Sequence, residues 1–341
     1  MTGGKVSASV VIPCWNVDRW VGRCLDEVFA ALPDDAEAIA VDDGSTDGTL
    51  AMLESRAAAE PRLKVIARPH AGVSAARNAA LDAVKGEILF FVDPDDGVEP
   101  DFFRAMLGEM ERTGADCCVT AFRRRRDGTD GFADERLKAD YRFGTNAEIR
   151  EGYLSRIFGF TFGDVERWYA GEHIFARREM ASACRMAYRR ALVEELKLRF
   201  DESVELYEDS IFNAGFLLAA RSMACVDRPL YRVTERPSGA MSSVPRDPVR
   251  LCRNKLALLA ARMRLDAASG GALARYCEGS LALGALEMLS ASVRRLPRLD
   301  CFAMLRGYLR EKPVKSALRG FPVSLRKPLV LLAVRLLRLF A

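Results

Sequence analysis

The chain has 341 residues, 50% hydrophobic and 29% charged, an ordinary globular balance with room for one large domain or a domain plus an appendage. Nine scattered cysteines with no C-x-x-C pair, and only two histidines, exclude a zinc site and a disulfide framework and predict reduced, mostly buried thiols. The net charge of +4 is uneven: from Arg294 onward twelve Lys/Arg face Asp300 and Glu311, a surplus of +10, which leaves −6 on residues 1–293. An acidic body with a basic tail predicts an anionic surface, not nucleic acid, as the partner of the tail.

In chain order, Ser9-Val10-Val11-Ile12 predicts a strand ended by Pro13, and Asp18 caps a helix over 19–31 with Trp20, Val21, Cys24, Leu25 and Val28 on its apolar stripe. Residues 37–42 make a second strand, and Asp47 or Thr46 opens a helix through Leu50, Leu53 and Ala57. A third strand covers 63–67, and a helix from Ser74 to about Lys85 is closed by Gly86. Residues 88–92 form a fourth strand, 99–112 a helix and 117–122 another strand. Strands interleaved with short helices predict an α/β fold with a largely parallel sheet flanked by helices. Arg123 to Thr145 is polar and turn-rich and reads as a long loop. In 146–182, Ile157, Phe158, Phe160, Phe162, Trp168 and Tyr169 fit an acceptor cleft or a subsidiary core cluster. A helix is expected around 210–220, prolines 229, 237, 245 and 248 mark a linker, and 249–293 reads as helical. No window reaches the roughly 18 to 20 apolar residues of a membrane-spanning helix. Residues 1–6 lack an apolar core of signal-peptide length, so a cytoplasmic location is expected.

Two acidic loops follow buried strands: Asp42-Asp43-Gly44-Ser45-Thr46-Asp47 and Asp93-Pro94-Asp95-Asp96-Gly97. Ligands of open α/β sheets bind beyond the carboxyl ends of strands. In an extended segment residues i and i+2 point the same way, so Asp93 and Asp95 can face one ion. A hard cation with oxygen ligands, Mg²⁺ or Mn²⁺, is the metal such residues hold, with substrate phosphate completing the shell. Asp96-Gly97 also fits a plain capped turn. Asp42-Asp43 offers a carboxylate for a nucleobase imide N–H, and Gly44 permits close backbone approach. Glu208-Asp209 before a helix fits a general base or simple helix capping.

Four motifs agree in order and spacing: Val10-Val11-Ile12-Pro13-Cys14-Trp15-Asn16, Val41-Asp42-Asp43-Gly44-Ser45-Thr46-Asp47-Gly48-Thr49, Gly72-Val73-Ser74-Ala75-Ala76-Arg77-Asn78, and Phe91-Val92-Asp93-Pro94-Asp95-Asp96. Over residues 7–122 the chain closely resembles the family-2 glycosyltransferases, inverting enzymes with the GT-A fold. A weaker likeness continues through Tyr188-Arg189-Arg190 and Tyr207-Glu208-Asp209-Ser210. The resemblance implies that Pro13 and Trp15 form the base pocket, that Asp43 accepts the imide hydrogen and that Arg77 approaches the diphosphate. It implies that Asp93 holds the ribose or the metal's water shell, that Asp95 ligates Mn²⁺ or Mg²⁺, and that Asp209 is the general base with Glu208 in support. Pro94 departs from the small polar residue usual in the family, and Ala181 to Arg185 lacks the aromatic many relatives carry, which leaves the acceptor open.

The resemblance implies a catalytic domain over 1–235, with a nucleotide-sugar half 7–122 and an acceptor half 123–235, followed by a helical region 236–341. The expected reaction is metal-dependent, inverting transfer from a UDP-sugar to a hydroxyl of a cell-surface glycan or lipid-linked acceptor; the alternative is a non-catalytic sugar-nucleotide-binding scaffold. Arg123 to Arg126 read as a solvated loop or a contact for a lipid-linked diphosphate, and Arg232 and Ser242 as residues closing over donor phosphates. In the basic tail 322–341, Leu325, Leu329, Leu332, Leu336 and Leu339 at helical spacing predict an interfacial helix on anionic lipid or docking onto the helical region.

Overall fold

The computed structural model describes residues 7–126, 128–236, 244–293, 299–323 and 328–340. The chain divides into two compact units, Met1–Gly152 with Ser182–Arg236, and Tyr153–Ala181 with Pro237–Ala341. Segment 153–181, placed by sequence in the acceptor half, thus groups with the C-terminal helices.

Unit one is built on a nine-stranded sheet. Its strands are β1 (Ala8–Cys14), β2 (Glu37–Asp42), β3 (Leu63–Ala67), β4 (Ile88–Phe91), β5 (Gly97–Val98), β6 (Cys117–Arg126), β7 (Ala133–Glu135), β8 (Met186–Arg189) and β9 (Met223–Glu235). They lie in the order β3-β2-β1-β4-β8-β6-β9-β5, with β7 on β6. Helices in chain order are α1 (Asp18–Ala31), α2 (Thr49–Ala59), α3 (Val73–Leu81), α4 (Phe102–Thr113), α5 (Phe162–Tyr169, in unit two), α6 (Arg190–Glu195) and α7 (Glu208–Leu217).

The first four strands are parallel, in register from Ser9–Glu37 to Cys14–Asp42 and from Ala8–Ile88 to Val11–Phe91. All seven residues of β1 are buried, as expected for a central strand covered on both faces. Pro13 fits there because the β1–β4 ladder has already ended at Val11. The parallel expectation holds for β1–β4 and for the β6–β9 pair; β8 enters antiparallel between β4 and β6. Its chain returns to the sheet after the long 136–185 excursion that follows β7, not through the short βαβ crossover that gives parallel entry.

Two local expectations are corrected. Arg123 to Arg126 are not a loop: they extend β6 along β9, because Arg123 pairs with Asp134 (3.1 Å) and Arg124 with Glu135 (2.8 Å) and Glu235 (2.7 Å), which neutralises the charge run in the ladder. Gly86 does not end a helix, since α3 stops at Leu81. A Cβ at Gly86 would lie 2.2 Å from the Ala8 carbonyl carbon, and its N–H reaches Ser9 Oγ at 2.7 Å. All nine cysteines are buried and none is in a disulfide.

Unit two contains α5 and the helices α8 (Pro248–Ala268), α9 (Ala274–Val293), α10 (Leu299–Arg310), α11 (Lys312–Gly320) and α12 (Pro328–Phe340). Asp247 caps α8 through the N–H groups of Val249 and Arg250, and Gly270 and Gly271, both at positive φ, turn the chain into α9. Of the six residues read as cleft or core, Ile157, Phe158 and Tyr169 are buried core, while Phe160, Phe162 and Trp168 are half-exposed. In α12, Val334 and Leu337 are buried and Arg338 donates to the carbonyls of Leu318, Arg319 and Phe321, whereas Leu332, Leu336 and Leu339 are exposed. No helix among the described residues is long and apolar enough to cross a membrane. Ser242 and the tail residues Arg294, Arg295, Arg298, Leu325, Arg326 and Lys327 lie outside the described residues.

Candidate active site

The carboxyl ends of β2, β1 and β4 point to the same edge of unit one, and the two acidic loops leave from there. Asp43 is buried and accepts the N–H groups of Ala71 (3.1 Å) and Gly72 (2.7 Å), with His70 Nδ1 at 2.8 Å from the same oxygen. Asp42, also buried, accepts the Ser45 N–H at 3.2 Å on one oxygen, while the other is buried without a partner. The Asp42-Asp43 pair therefore splits its work: one closes its own loop, and the other fixes the turn that starts α3. Gly44, at φ +71°, lies where a Cβ would stand 2.7 Å from the His70 nitrogen. Gly44→Ala is expected to destabilise the fold by about 1–3 kcal/mol, read as a lowered thermal midpoint; an unchanged midpoint would show that the two loops are not packed this way.

Trp15 is 50% exposed and its ring stacks on His70 at 4.4 Å with a 20° interplanar angle. Trp15, His70 and Asp43 thus form one group, with Pro13 buried behind them in β1. His70 is a residue that sequence reading passed over, because an isolated histidine outside the acidic motifs carries no spacing signal.

From the turn held by Asp43, α3 carries Arg77 inward to 2% side-chain exposure. Its Nη1 reaches Glu208 Oε1 at 2.8 Å and Asp209 Oδ1 at 2.9 Å, and its Nη2 reaches Asp93 Oδ1 at 2.9 Å. The guanidinium also lies 5.0 Å over the Phe200 ring, which stacks on Phe212 at 4.1 Å. Burial works against the Arg77 charge, but Asp209, Asp93 and Glu208 more than offset it and hold its proton firmly. One side chain therefore gathers three of the acids that sequence singled out, from a strand end and a helix start 132 positions apart from it at most.

Glu208 and Asp209 are the first two residues of α7, following Tyr207 at φ +73°. Asp209 Oδ2 accepts the Ala183 N–H at 3.0 Å, so both of its oxygens are anchored. Although a helix N-terminus favours the anion, burial dominates here. Burial, then the Asp209 charge, raise Glu208 to about 7 against the pull of Arg77. Asp209 is raised by burial and by Asp93, with Arg77 opposing. A carboxyl held at about 7, as Glu208 is, can take up a proton at working pH. Because folded Glu208 binds more protons than the unfolded chain between its ordinary 4.5 and about 7, its contribution to stability falls as pH rises through that window. Glu208→Gln should flatten that part of the midpoint-versus-pH curve; retention of the wild-type slope would assign the proton elsewhere.

In the second acidic loop, Asp96 is tied down: its carboxylate accepts the Tyr231 hydroxyl at 2.8 Å and the Thr234 N–H at 2.7 Å. Burial, with Asp95 and Asp93, holds its proton well above the usual carboxylate range. Asp95 pairs with Arg236, whose guanidinium also lies 4.6 Å over the Trp20 ring. Arg23 donates to the Asp95 carbonyl at 2.9 Å. Burial raises Asp95, Arg236 opposes and Asp93 adds to the rise. Arg232, expected over donor phosphates, pairs with Glu27 at 2.6 Å and Glu99 at 3.6 Å and sits opposite Gly97 on β9. Arg236, four residues later, was missed because it falls past the last predicted strand, and the strand end that aims it is a tertiary feature.

Among the described residues no group of three or more His, Cys, Asp and Glu is arranged around a metal. The donor set still fits Mg²⁺ or Mn²⁺, which use one or two carboxylates plus phosphate oxygens. Asp93 and Asp95 are hard oxygen donors, and buried Asp95 already draws a cation to itself.

Acidic loops at the carboxyl edge of adjacent parallel strands, joined to a helix start by a buried arginine, mark the place where ligands of open α/β sheets bind. Residues 9–167 match the model described as Glycosyl transferase family 2. The chain is 28% identical over 240 residues to the uncharacterized glycosyltransferase EpsJ of Bacillus subtilis (strain 168), covering 70% of this chain and 64% of EpsJ. It is 26% identical over 350 residues to the succinoglycan biosynthesis protein ExoO of Rhizobium meliloti (strain 1021), covering 97% and 86%. The alignments thus span less than two thirds of some relatives' lengths. The crystal structure of S. aureus TarS 1-349 in complex with UDP-GlcNAc superposes with a TM-score of 0.66 at 20% identity, covering 97% of this chain and 88% of that one, which establishes the shared GT-A-type architecture.

Proposed function

We propose that the protein transfers a sugar from a nucleoside-diphosphate sugar, UDP-linked in the first instance, to a hydroxyl of a surface glycan or lipid-linked acceptor, with inversion. The observation that carries this reading is Arg77 joining Asp93 to the Glu208–Asp209 pair. TarS, named with UDP-GlcNAc, and ExoO, named for succinoglycan biosynthesis, support the donor class and a glycan acceptor.

Asp209 takes the proton of the attacking hydroxyl. Its two anchored oxygens fix its direction, and burial with the Asp93 charge raises its basicity. Arg77 positions the acids, a role more fully occupied than the diphosphate contact implied by the resemblance. The face of Trp15 away from His70 serves the nucleobase, with Asp43 and Pro13 at its edge. Asp95, with Asp93, would hold Mn²⁺ or Mg²⁺, which when bound offsets charge on the leaving diphosphate. For Asp95 to hold such a cation, Arg236 would have to release it.

The test is a panel of UDP- and GDP-sugars, scored for release of nucleoside diphosphate with and without Mn²⁺. Manganese-dependent release from a UDP-sugar, lost in Asp95→Ala, is expected. No release from any donor with any acceptor glycan would end the proposal. For the tail, the exposed Leu332, Leu336 and Leu339 beside Arg335 suit an anionic membrane surface. Vesicles of phosphatidylglycerol should sediment the protein, and phosphatidylcholine vesicles should not.

A further inference from the structure

Unit two carries a group of arginines for which the donor chemistry has no use. Buried Asp164 of α5 accepts Arg167 Nη2 at 2.6 Å and Arg178 Nη1 at 3.4 Å, besides the Thr161 N–H at 2.9 Å. Arg178 is 8% exposed in its side chain and also donates to the Ser155 carbonyl at 2.6 Å. Arg262 of α8 donates to the Phe158 carbonyl at 3.0 Å, while its Nε is buried without an acceptor. Arg156 donates to the Arg177 carbonyl at 3.2 Å.

Arg178 feels the other three guanidiniums. Burial first, then the charges of Arg262, Arg156 and Arg167, lower Arg178 to about 10 in spite of Asp164. The buried acids of the same segment are Asp164 and Glu179. Nearby, Glu278 is committed to the Phe162 N–H, and Asp266 to the N–H groups of Leu273 and Ala274. Glu172 pairs with Arg177 at 3.6 Å, and at Arg178 the leading charges are one acid, Asp164, against three arginines.

Clamping the carbonyls of Ser155, Phe158 and Arg177 explains three of the contacts, but a clamp needs neither four like charges nor their partial burial, which costs stability. Aromatic surface adjoins them. Phe160 has Arg178 at 5.5 Å and Phe175 at 5.2 Å, and Phe175 is 57% exposed with His173 at 5.6 Å. Guanidinium forks bind tetrahedral oxyanions through several N–H groups at once, and an exposed aromatic face packs against sugar C–H groups.

We propose that this arginine–aromatic patch of unit two binds a phosphate-bearing sugar of the acceptor, with Arg167 and Arg262 on the phosphate and Phe175 against the ring. The assignment of that ligand as acceptor rests on the glycosyltransferase reading. A phosphate suits the site better than a carboxylate, since it offers more acceptor oxygens to the crowded guanidinium forks.

Calorimetric titration of the full chain, with the donor site saturated by UDP, should show glucose 6-phosphate binding at least tenfold tighter than glucose or glucuronate. Arg167→Gln combined with Arg262→Gln should weaken it at least tenfold, with UDP affinity unchanged. If that double variant fails to fold, Phe175→Ala decides: it should weaken glucose 6-phosphate at least threefold and leave inorganic phosphate binding unaltered. Equal affinity for glucuronate, no loss in the double variant, or no effect of Phe175→Ala on the sugar phosphate would each overturn the proposal. Failure of the wild type to bind UDP would sink the donor reading instead, leaving the glucose 6-phosphate measurement to stand by itself.

Discussion

Asp209→Asn is expected to keep UDP binding within about twofold while lowering transfer by roughly 10²- to 10⁴-fold, the range a positioned general base supplies. The amide is nearly isosteric and can still accept from Arg77 Nη1, now 2.9 Å from Asp209 Oδ1, so the network around Asp93 and Glu208 survives. What disappears is the site that takes the acceptor proton. The contact with the Ala183 N–H is replaced by an amide that cannot accept there, a local cost shared by binding and catalysis. Separating UDP affinity, by calorimetry, from single-turnover transfer distinguishes the two. Transfer at the wild-type rate would move the base to another residue, with Glu208 the first to try, since burial sets it at about 7.

Arg77→Met should be the most damaging single change to stability. Arg77 is 2% exposed and holds three carboxylates at 2.8–2.9 Å, so its removal strands buried negative charge without a partner. Breaking such a buried set typically costs about 3–5 kcal/mol, on the order of 10 °C in thermal midpoint for a unit of this size. The pH dependence carries a sign. Without Arg77 the acids rise further above their ordinary values, and a raised carboxylate contributes stability at low pH that is lost as pH climbs through the folded value. The gap between wild type and variant should therefore widen from pH 5.5 to pH 7.5. A constant gap would mean that packing over Phe200, not charge, is what Arg77 provides.

Much of unit one is legible in the sequence because its signals are local. Runs such as Val10-Val11-Ile12 and Ile88-Leu89-Phe90-Phe91 are buried on both faces, and their period and turn residues mark strand ends to within one or two positions. Strand β8 is not legible: Met186 to Arg189 is too short and mixed to announce itself, and only pairing with β4 and β6 makes it a strand. The arginine run of β6 misled for a related reason. Four consecutive cations read as solvated surface, yet Asp134, Glu135 and Glu235 arrive from other strands to neutralise them.

By itself, the order of residues determined the identity of the acids and the edge of the sheet that carries them, because strand ends and acidic turns are encoded within a few neighbouring positions. Tertiary structure decided their partners: Arg77 for Asp93, Glu208 and Asp209, Arg236 for Asp95, His70 for Trp15 and Asp43. Charge pairing and burial act through space over a few ångströms, and residues 77 and 209 become neighbours only when α3 and α7 meet at the end of β4.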